Sequence, residues 1–454
     1  MLRTIYTLLL YLLAPVLAIR LFWRSYSFGN PAGWRQRLAL YDNERVGQAN
    51  REPEPTIWLH AVSLGETRAA EPLVKSLLAE FPHCRLLLST TTPTGLAAAA
   101  ELFAQSIADS RMQQCYLPWD FPAAMRRFLC HYRPSVALLL ETEIWPNMLA
   151  ACESAGIPVA LVNARLSCRS ARGYLRVAYL SRVAFASLHT VIAQSRADAR
   201  RLRLCGARQV SVCGNIKFDI APSPGQLFLG QQWRQGAGER LIWLAASTRE
   251  HAGRAEEDLL LEAHEQLLAS WPGDLPAPLL TIVPRHPQRF DQVSRLIEKR
   301  GFQVVRRSVA PPPAASGRHD RTVWLCDSMG ELTACYRLTD MAFIGGSLLP
   351  LGGQNLIEAA ACGCPMLLGP YTFNFASASR QAQKSGAAIQ VGDSAQLALV
   401  LAKHLLDNDA RAAMSKAALE FAKQQRGATR CTMSELHSML SLLPAPLKKT
   451  LHKE

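Results

Sequence analysis

The sequence predicts an α/β protein built from two doubly wound parallel sheets, and three observations carry that expectation. Short apolar runs alternate with helix-forming segments along most of the 454 residues, as they do when buried parallel strands are joined by right-handed helical crossovers. The alternation breaks once, at Ile220-Ala-Pro-Ser-Pro-Gly225, a composition suited to a hinge, and then restarts. Met341 to Gly369 compresses a whole β-loop-α-β unit. Met341 to Ile344 runs into Gly345-Gly346 as a buried strand ends in a tight turn, and a helix is predicted from Gln354 to Ala361. Gly363 and Pro365 stop that helix before a second strand, Met366 to Leu368.

Taken in order, the chain opens on an uncharged, leucine-rich stretch from Ile5 to Ile19, followed by Arg20, Arg24, Arg35 and Arg37. The stretch is shorter than the ~20 apolar residues of a comfortable membrane span, although Leu21-Phe22-Trp23 prolongs it. Ala14-Pro-Val-Leu-Ala18 imitates a signal-peptide cleavage site, but the basic residues cluster after the apolar stretch, which retains the following domain in the cytoplasm. Residues 1–23 are therefore expected to be an uncleaved hydrophobic anchor, spanning the membrane or lying in its interface.

In the first half, strands are predicted at Thr56–Val62, Arg85–Thr91, Val136–Glu141, Pro158–Asn163, His189–Ala193 and Gln209–Cys213, with helices at Thr67–Phe81 and Phe121–Tyr132. In the second half they are predicted at Leu241–Ala246, Leu279–Val283, Thr322–Cys326, Met341–Ile344 and Met366–Leu368. The expected organisation is an anchor at 1–23, a domain at 24–222, a second domain at 223–430 and a C-terminal tail at 431–454. Ala310 to Gly317, rich in proline, reads as a surface loop.

A hydrophobic content of 49% is ample for two cores, and the net charge of +14 implies a polyanionic partner: an anionic membrane face or a phosphorylated substrate. Nucleic acid is the weakest of the polyanionic partners and is not expected, because no Lys/Arg block alternates with aromatic residues and no zinc-finger or RNP pattern occurs. The twelve cysteines are scattered and form no CxxC pair, which fits reduced, buried thiols in a cytosolic body. Cys362-Gly-Cys364 has no accompanying Cys or His cluster, so no metal is expected there.

Ligands of parallel sheets bind beyond the carboxyl ends of the strands, so residues following each predicted strand are the candidates. His60-Ala-Val-Ser-Leu-Gly-Glu66 follows the first strand. Glu66 sits near a helix start, where a carboxylate serves either as a cap or as a base. Glu141-Thr-Glu143 pairs two carboxylates for a proton relay, an orienting role or charge partners, in preference to a metal site. Lys217, in Asn215-Ile-Lys-Phe-Asp219, pairs with a carboxylate or phosphate, or is a solvated linker lysine. In the second half, Arg285 and His286 follow a strand between Pro284 and Pro287, well placed to grip an anion. Asp327-Ser-Met329-Gly330-Glu331 opens a helix, and the predicted helix after Gly352-Gly353 offers amides to a phosphate, with Glu358 one turn further in for a ribose.

Together these segments resemble the bacterial 3-deoxy-D-manno-octulosonic acid (Kdo) transferases of lipopolysaccharide assembly. The resemblance rests on Ser63-Leu-Gly-Glu66-Thr, Glu141-Thr-Glu143-Ile-Trp-Pro146-Asn, Asn163-Ala-Arg165-Leu-Ser, Lys217-Phe-Asp219, Pro284-Arg285-His286-Pro287, Asp327-Ser-Met329-Gly330-Glu331-Leu, Gly345-Gly346-Ser347 and Gly352-Gly353-Gln354-Asn355-Leu-Ile-Glu358-Ala. It covers the chain from the N-terminal stretch to about Gln425. What it implies is a GT-B glycosyltransferase, two Rossmann-like domains facing across a cleft, that moves Kdo from CMP-Kdo to the lipid A precursor (lipid IVA) on the cytoplasmic side of the inner membrane. It also implies that Glu66 is the general base and that Glu141 and Lys217 support the transition state. Arg285, His286, Met329, Gly330, Glu331 and Asn355, Leu356, Ile357, Glu358 would bind CMP, with no metal and no cofactor beyond the donor. The sequence departs from the usual Gly-Gly-His-Asn-Pro-Leu-Glu, with Gln354 in place of the histidine and Leu356-Ile357 in place of Pro-Leu. A UDP-sugar transferase or 2-epimerase of the same architecture, and a non-catalytic membrane-associated binding protein, remain as alternatives.

Overall fold

A computed structural model describes residues 2–26, 32–41, 54–315, 317, 319–441 and 443, without the side chains of 16–26 and 32. The side chains of Arg20, Arg24 and Leu21-Phe22-Trp23, Ser316 of the proline-rich loop and the tail after Pro444 lie outside the described residues. The chain divides into two units, one comprising residues 1–220 and 426–454, the other 221–425.

The first unit holds seven parallel strands: β1 (Thr56–His60), β2 (Arg85–Thr90), β3 (Met112–Tyr116), β4 (Val136–Leu140), β5 (Val159–Ala164), β6 (Thr190–Ala193) and β7 (Val210–Val212), in the order β3-β2-β1-β4-β5-β6-β7. Trp58, Leu87, Leu139 and Leu161 face one apolar layer with Phe128 and Phe185, while Ile57, Leu59, Leu88 and Leu138 face another. Burial on both faces is what the unbroken apolar runs demand. Connections run outward in opposite directions from β1 and β4, so the crevice between their carboxyl ends is the switch point of this sheet.

The second unit repeats the design with β8 (Ile242–Thr248), a two-residue hairpin β9 (Glu250–His251) and β10 (Arg254–Ala255), then β11 (Leu279–Pro284), β12 (Gln303–Arg306), β13 (Thr322–Leu325), β14 (Met341–Ile344), β15 (Met366–Leu368) and β16 (Ala388–Gln390). Its seven-stranded parallel sheet has the order β12-β13-β11-β8-β14-β15-β16, which places the switch point between β8 and β14.

Three sequence expectations are corrected. The helix Leu2–Tyr26 exists, but among the described residues no helix is long and apolar enough to cross a membrane. Two of its polar residues are committed elsewhere: the Tyr6 hydroxyl donates to Asp120 at 2.9 Å and the Thr7 hydroxyl to Asn147 at 3.0 Å. The expected tail from 431 is largely the helix Ala428–Leu440, whose Met433, Leu436, Met439 and Leu440 are buried in the first unit beside Ile216. Finally, Cys213 and Cys431 are not thiols but a disulfide with Cα atoms 5.4 Å apart, while Cys84 and Cys152 are buried and free as expected.

Candidate active site

At the first unit's switch point the chain leaves β1 through Ala61-Val62-Ser63 into the short helix Leu64–Ala69, with Glu66 in its first turn. No side chain caps this helix from Ser63; instead Glu66 reaches back, accepting the Val62 N–H at 2.6 Å and facing the Ser63 hydroxyl at 3.4 Å. The bond goes to the residue before the N-cap, so neither half of a capping box is formed. The carboxyl is nonetheless pushed up to about 7, first by burial and then by the neighbouring negative charge of Glu141; the Val62 N–H and Lys217 pull the other way.

Glu141 ends β4 in a left-handed backbone conformation, φ 58°, a sparsely populated state for a side-chain-bearing residue and costly unless the surroundings enforce it. Its carboxylate receives the Lys217 ammonium at 2.7 Å. Lys217 is carried by the turn Ile216–Asp219 and is held from two sides: Asn215 Oδ1 accepts the Lys217 N–H at 3.0 Å, and Asn163 Oδ1 accepts the Ile216 N–H at 3.1 Å. Asn163, at the end of β5, is itself left-handed (φ 53°). Glu143 accepts from the Trp145 indole at 2.9 Å, and burial raises its carboxyl. The two glutamates thus serve separate partners, yet both feed the field at Glu66. Among the described residues no group of three or more His, Cys, Asp or Glu is arranged to hold a metal ion.

Asp219, in the same motif as Lys217, does something different. Its two oxygens accept the N–H groups of Gly427 and Thr429 and so cap the helix Ala428–Leu440.

In the second unit Arg285 and His286 are exposed directly after β11, with the Arg285 N–H bonded to the Thr248 carbonyl at 3.0 Å. The imidazole is held below its ordinary range by partial burial and by Arg249, Arg285 and Arg289. Of these cations Arg289 is neutralised, its guanidinium forming two 2.8 Å bonds to the buried Glu257; Arg249 and Arg285 give the β8 and β11 ends a positive face. Met329 and Gly330 are exposed, Gly330 in a left-handed conformation (φ 86°). Glu331 pairs with Arg307 at 2.9 Å, and Arg307 stacks over Trp233.

The expected helix from Gln354 begins only at Ile357 and spans five residues to Ala361. Asn355 Oδ1 accepts the Ile357 N–H at 3.1 Å, and Glu358 accepts the Thr333 hydroxyl at 2.9 Å. Leu356 and Ile357 are buried, so their side chains pack in the core and only their backbone is left for a ligand. The amides of the glycine loop are also engaged: those of Gly346, Ser347 and Leu348 donate to Glu256. Sequence reading missed Glu256, Glu257, Arg289, Arg307 and Thr333. The run Glu256-Glu257-Asp258 at a helix start was the visible signal for the first two, but it also fits ordinary helix-dipole preference.

Residues 32–220 match the family described as 3-Deoxy-D-manno-octulosonic-acid transferase (kdotransferase). The 3-deoxy-D-manno-octulosonic acid transferase of Bordetella pertussis is 42% identical over 96% of this chain and 99% of its own length. That of Haemophilus influenzae is 34% identical over 98% and 99%. Among solved structures, Anabaena HepE in complex with UDP aligns with a TM-score of 0.57 at 15% identity, over 86% of this chain and all (100%) of the other. That likeness, with the two seven-stranded parallel sheets, shows a GT-B-like glycosyltransferase fold.

Proposed function

The chain belongs to the family of 3-deoxy-D-manno-octulosonic acid (Kdo) transferases, glycosyltransferases of lipopolysaccharide biosynthesis, and from that premise we propose that it moves Kdo from CMP-Kdo to the phosphorylated lipid A precursor with Glu66 as general base. The carrying observation is the Glu66 carboxyl, raised to about 7 at the carboxyl end of β1 beside the Glu141–Lys217 pair. A base poised near neutral pH is matched to taking a proton from a hydroxyl as that oxygen bonds to the sugar. As it does so, the bond from the anomeric carbon to the CMP phosphate breaks, and CMP departs with the electron pair. Arg285 and the positive surroundings of His286 offset the charge that develops on the leaving group, without a metal. Met329, Gly330, Glu331, Asn355 and Glu358 surround the nucleotide in this reading, with Leu356 and Ile357 contributing backbone only.

The same reading places the enzyme at the cytoplasmic face of the inner membrane by peripheral association. Leu2, Ile5, Leu9, Leu12 and Leu13 recur at helical spacing and are exposed. The net charge of +14 suits anionic lipid and a phosphorylated acceptor. The test is mass spectrometry of the product formed by the purified full chain from CMP-Kdo and lipid A precursor. An acceptor gaining the mass of Kdo supports the assignment, and an unchanged acceptor overturns it. Competition between CMP and UDP for the second unit separates this donor from a uridine-linked one.

A further inference from the structure

Three consecutive backbone amides pointing at one spot make a concave anion site, and at the switch point of the second sheet that spot is filled from within. The Gly346 N–H donates to Glu256 Oε2 at 2.6 Å, and the Ser347 and Leu348 N–H groups both donate to Oε1 at 3.1 Å. The Arg249 N–H adds a longer contact of 3.3 Å to Oε2. The side chain is fully buried, with 0% exposure. We propose that Glu256 is a positioning residue for the donor: its two carboxyl oxygens hold the amides of the glycine loop between β14 and Asn355 in the shape that receives the nucleotide sugar.

The chain's own connectivity carries this. Gly345 packs so tightly on β8 that a Cβ there would lie 2.6 Å from the Ala246 carbonyl oxygen. Gly346 turns left-handed (φ 69°), and the amides that follow it, Ser347 and Leu348, reach Glu256. The loop then folds back on itself, with the Gly353 N–H on the Gly346 carbonyl at 2.8 Å and the Gln354 N–H on the Gly345 carbonyl at 3.0 Å. Moving residues 346–348 therefore moves Gln354 and Asn355. Four donors meet two oxygens, and only a carboxylate accepts at both. A glutamine would aim its NH2 at one of these N–H groups, leaving two donors face to face in a dry site.

The proposal rests on the CMP-Kdo reading above, and the experiment keeps the two apart. Glu256→Gln, Glu256→Asp and Asp320→Asn are made in the full chain, with CMP affinity, donor and acceptor KM, kcat and melting temperature measured. Asp320 pairs with buried Arg240 before β13, at the opposite end of the same sheet, and so reports a stability loss with no loop effect. Glu256→Gln is expected to raise donor KM and weaken CMP at least about tenfold, with acceptor KM unchanged and kcat changed far less. Glu256→Asp, which restores both acceptor oxygens, is expected to recover part of that loss. Asp320→Asn is expected to lower the melting temperature and leave donor KM alone. Unchanged donor KM and CMP affinity in folded Glu256→Gln overturn the inference, as does an equal rise in Asp320→Asn. Should Glu256→Gln fail to fold, amide hydrogen exchange at residues 346–348 of the unsubstituted protein decides. Protection without CMP supports the inference, and free exchange overturns it. A protein without transfer from CMP-Kdo, yet with protected amides, instead sinks the activity reading.

Discussion

Lys217 Nζ lies 2.7 Å from Glu141 Oε1 although 76 residues separate them in the chain, and the two charges act on Glu66 with opposite sign. That opposition gives a test no purely structural account reproduces. Glu141→Gln and Lys217→Met break the same ion pair, so a structural role predicts the same direction for both. Electrostatics predicts opposite directions. Losing Glu141 favours the Glu66 carboxylate and moves the acidic limb of kcat/KM below its position near 7, whereas losing Lys217 moves it above. The pH profiles of residual activity check this.

Glu66→Gln is expected to lower kcat by about 10²- to 10⁴-fold, the usual worth of a general base, with CMP affinity unchanged. Stability should move the other way. The folded pKa is raised from 4.5 to about 7, so the folded state binds more protons than the unfolded one in that interval, and stability falls as pH rises through it. Above 7 the wild type carries the full cost of a half-buried charge, and the variant does not. Denaturant unfolding should show Glu66→Gln more stable at pH 8, by on the order of 2 kcal/mol, with the gap closing toward pH 4.

How much of this was legible in the sequence depended on where each element sits. Strands with neighbours on both sides, such as Val136–Leu140 and Met341–Ile344, are buried throughout and read as apolar runs. In the two seven-stranded sheets the missed strands, Met112–Tyr116, Gln303–Arg306 and Ala388–Gln390, all lie at sheet edges, where polar residues interrupt the pattern. The helix Ala428–Leu440 left a trace in Thr429, Thr432, Met433, Leu436 and Leu440, the spacing of one buried face, but so short a repeat does not say which unit it returns to. The candidate site residues were picked out by their place just beyond predicted strands of the two large sheets. Glu256 and Thr333 were not, because what they do depends on contacts made 90 and 25 residues away in sequence.

Asn355 is where a local turn-forming role and a binding role make different predictions. Its Oδ1 already accepts the Ile357 N–H, and an aspartate performs that task equally well. If holding this turn were its whole function, Asn355→Asp would bind CMP like the wild type. The proposed donor site predicts otherwise: a carboxylate beside the CMP phosphate repels it, so Asn355→Asp should weaken CMP at least as much as Asn355→Ala. Calorimetry with CMP distinguishes the two.

Asp219 shares a motif with Lys217 but serves the fold. Removing its carboxylate leaves the Gly427 and Thr429 N–H groups without their acceptor. Asp219→Ala is therefore expected to cost about 1–2 kcal/mol in chemical unfolding while kcat at saturating substrates stays near wild type. A large fall in kcat with unchanged stability would reverse the division of labour drawn here.

The N-terminal helix separates two ways of reaching a membrane. A spanning segment cannot keep polar side chains bonded to a water-exposed body, and here Tyr6 and Thr7 are bonded to Asp120 and Asn147. The exposed apolar face, with Leu9, Leu12 and Leu13, makes no such bonds, Leu12 being 75% exposed. An interfacial helix gains binding energy from that face and from basic charge together, and salt weakens only the second contribution. Replacing Leu9, Leu12 and Leu13 with serine should therefore abolish cosedimentation with anionic vesicles at high salt, where the unsubstituted protein still binds in part. Each leucine contributes on the order of 1–2 kcal/mol, and the Tyr6 and Thr7 contacts that dock the helix are untouched. Equal binding of the triple variant and the wild type at high salt would show that another surface holds the membrane.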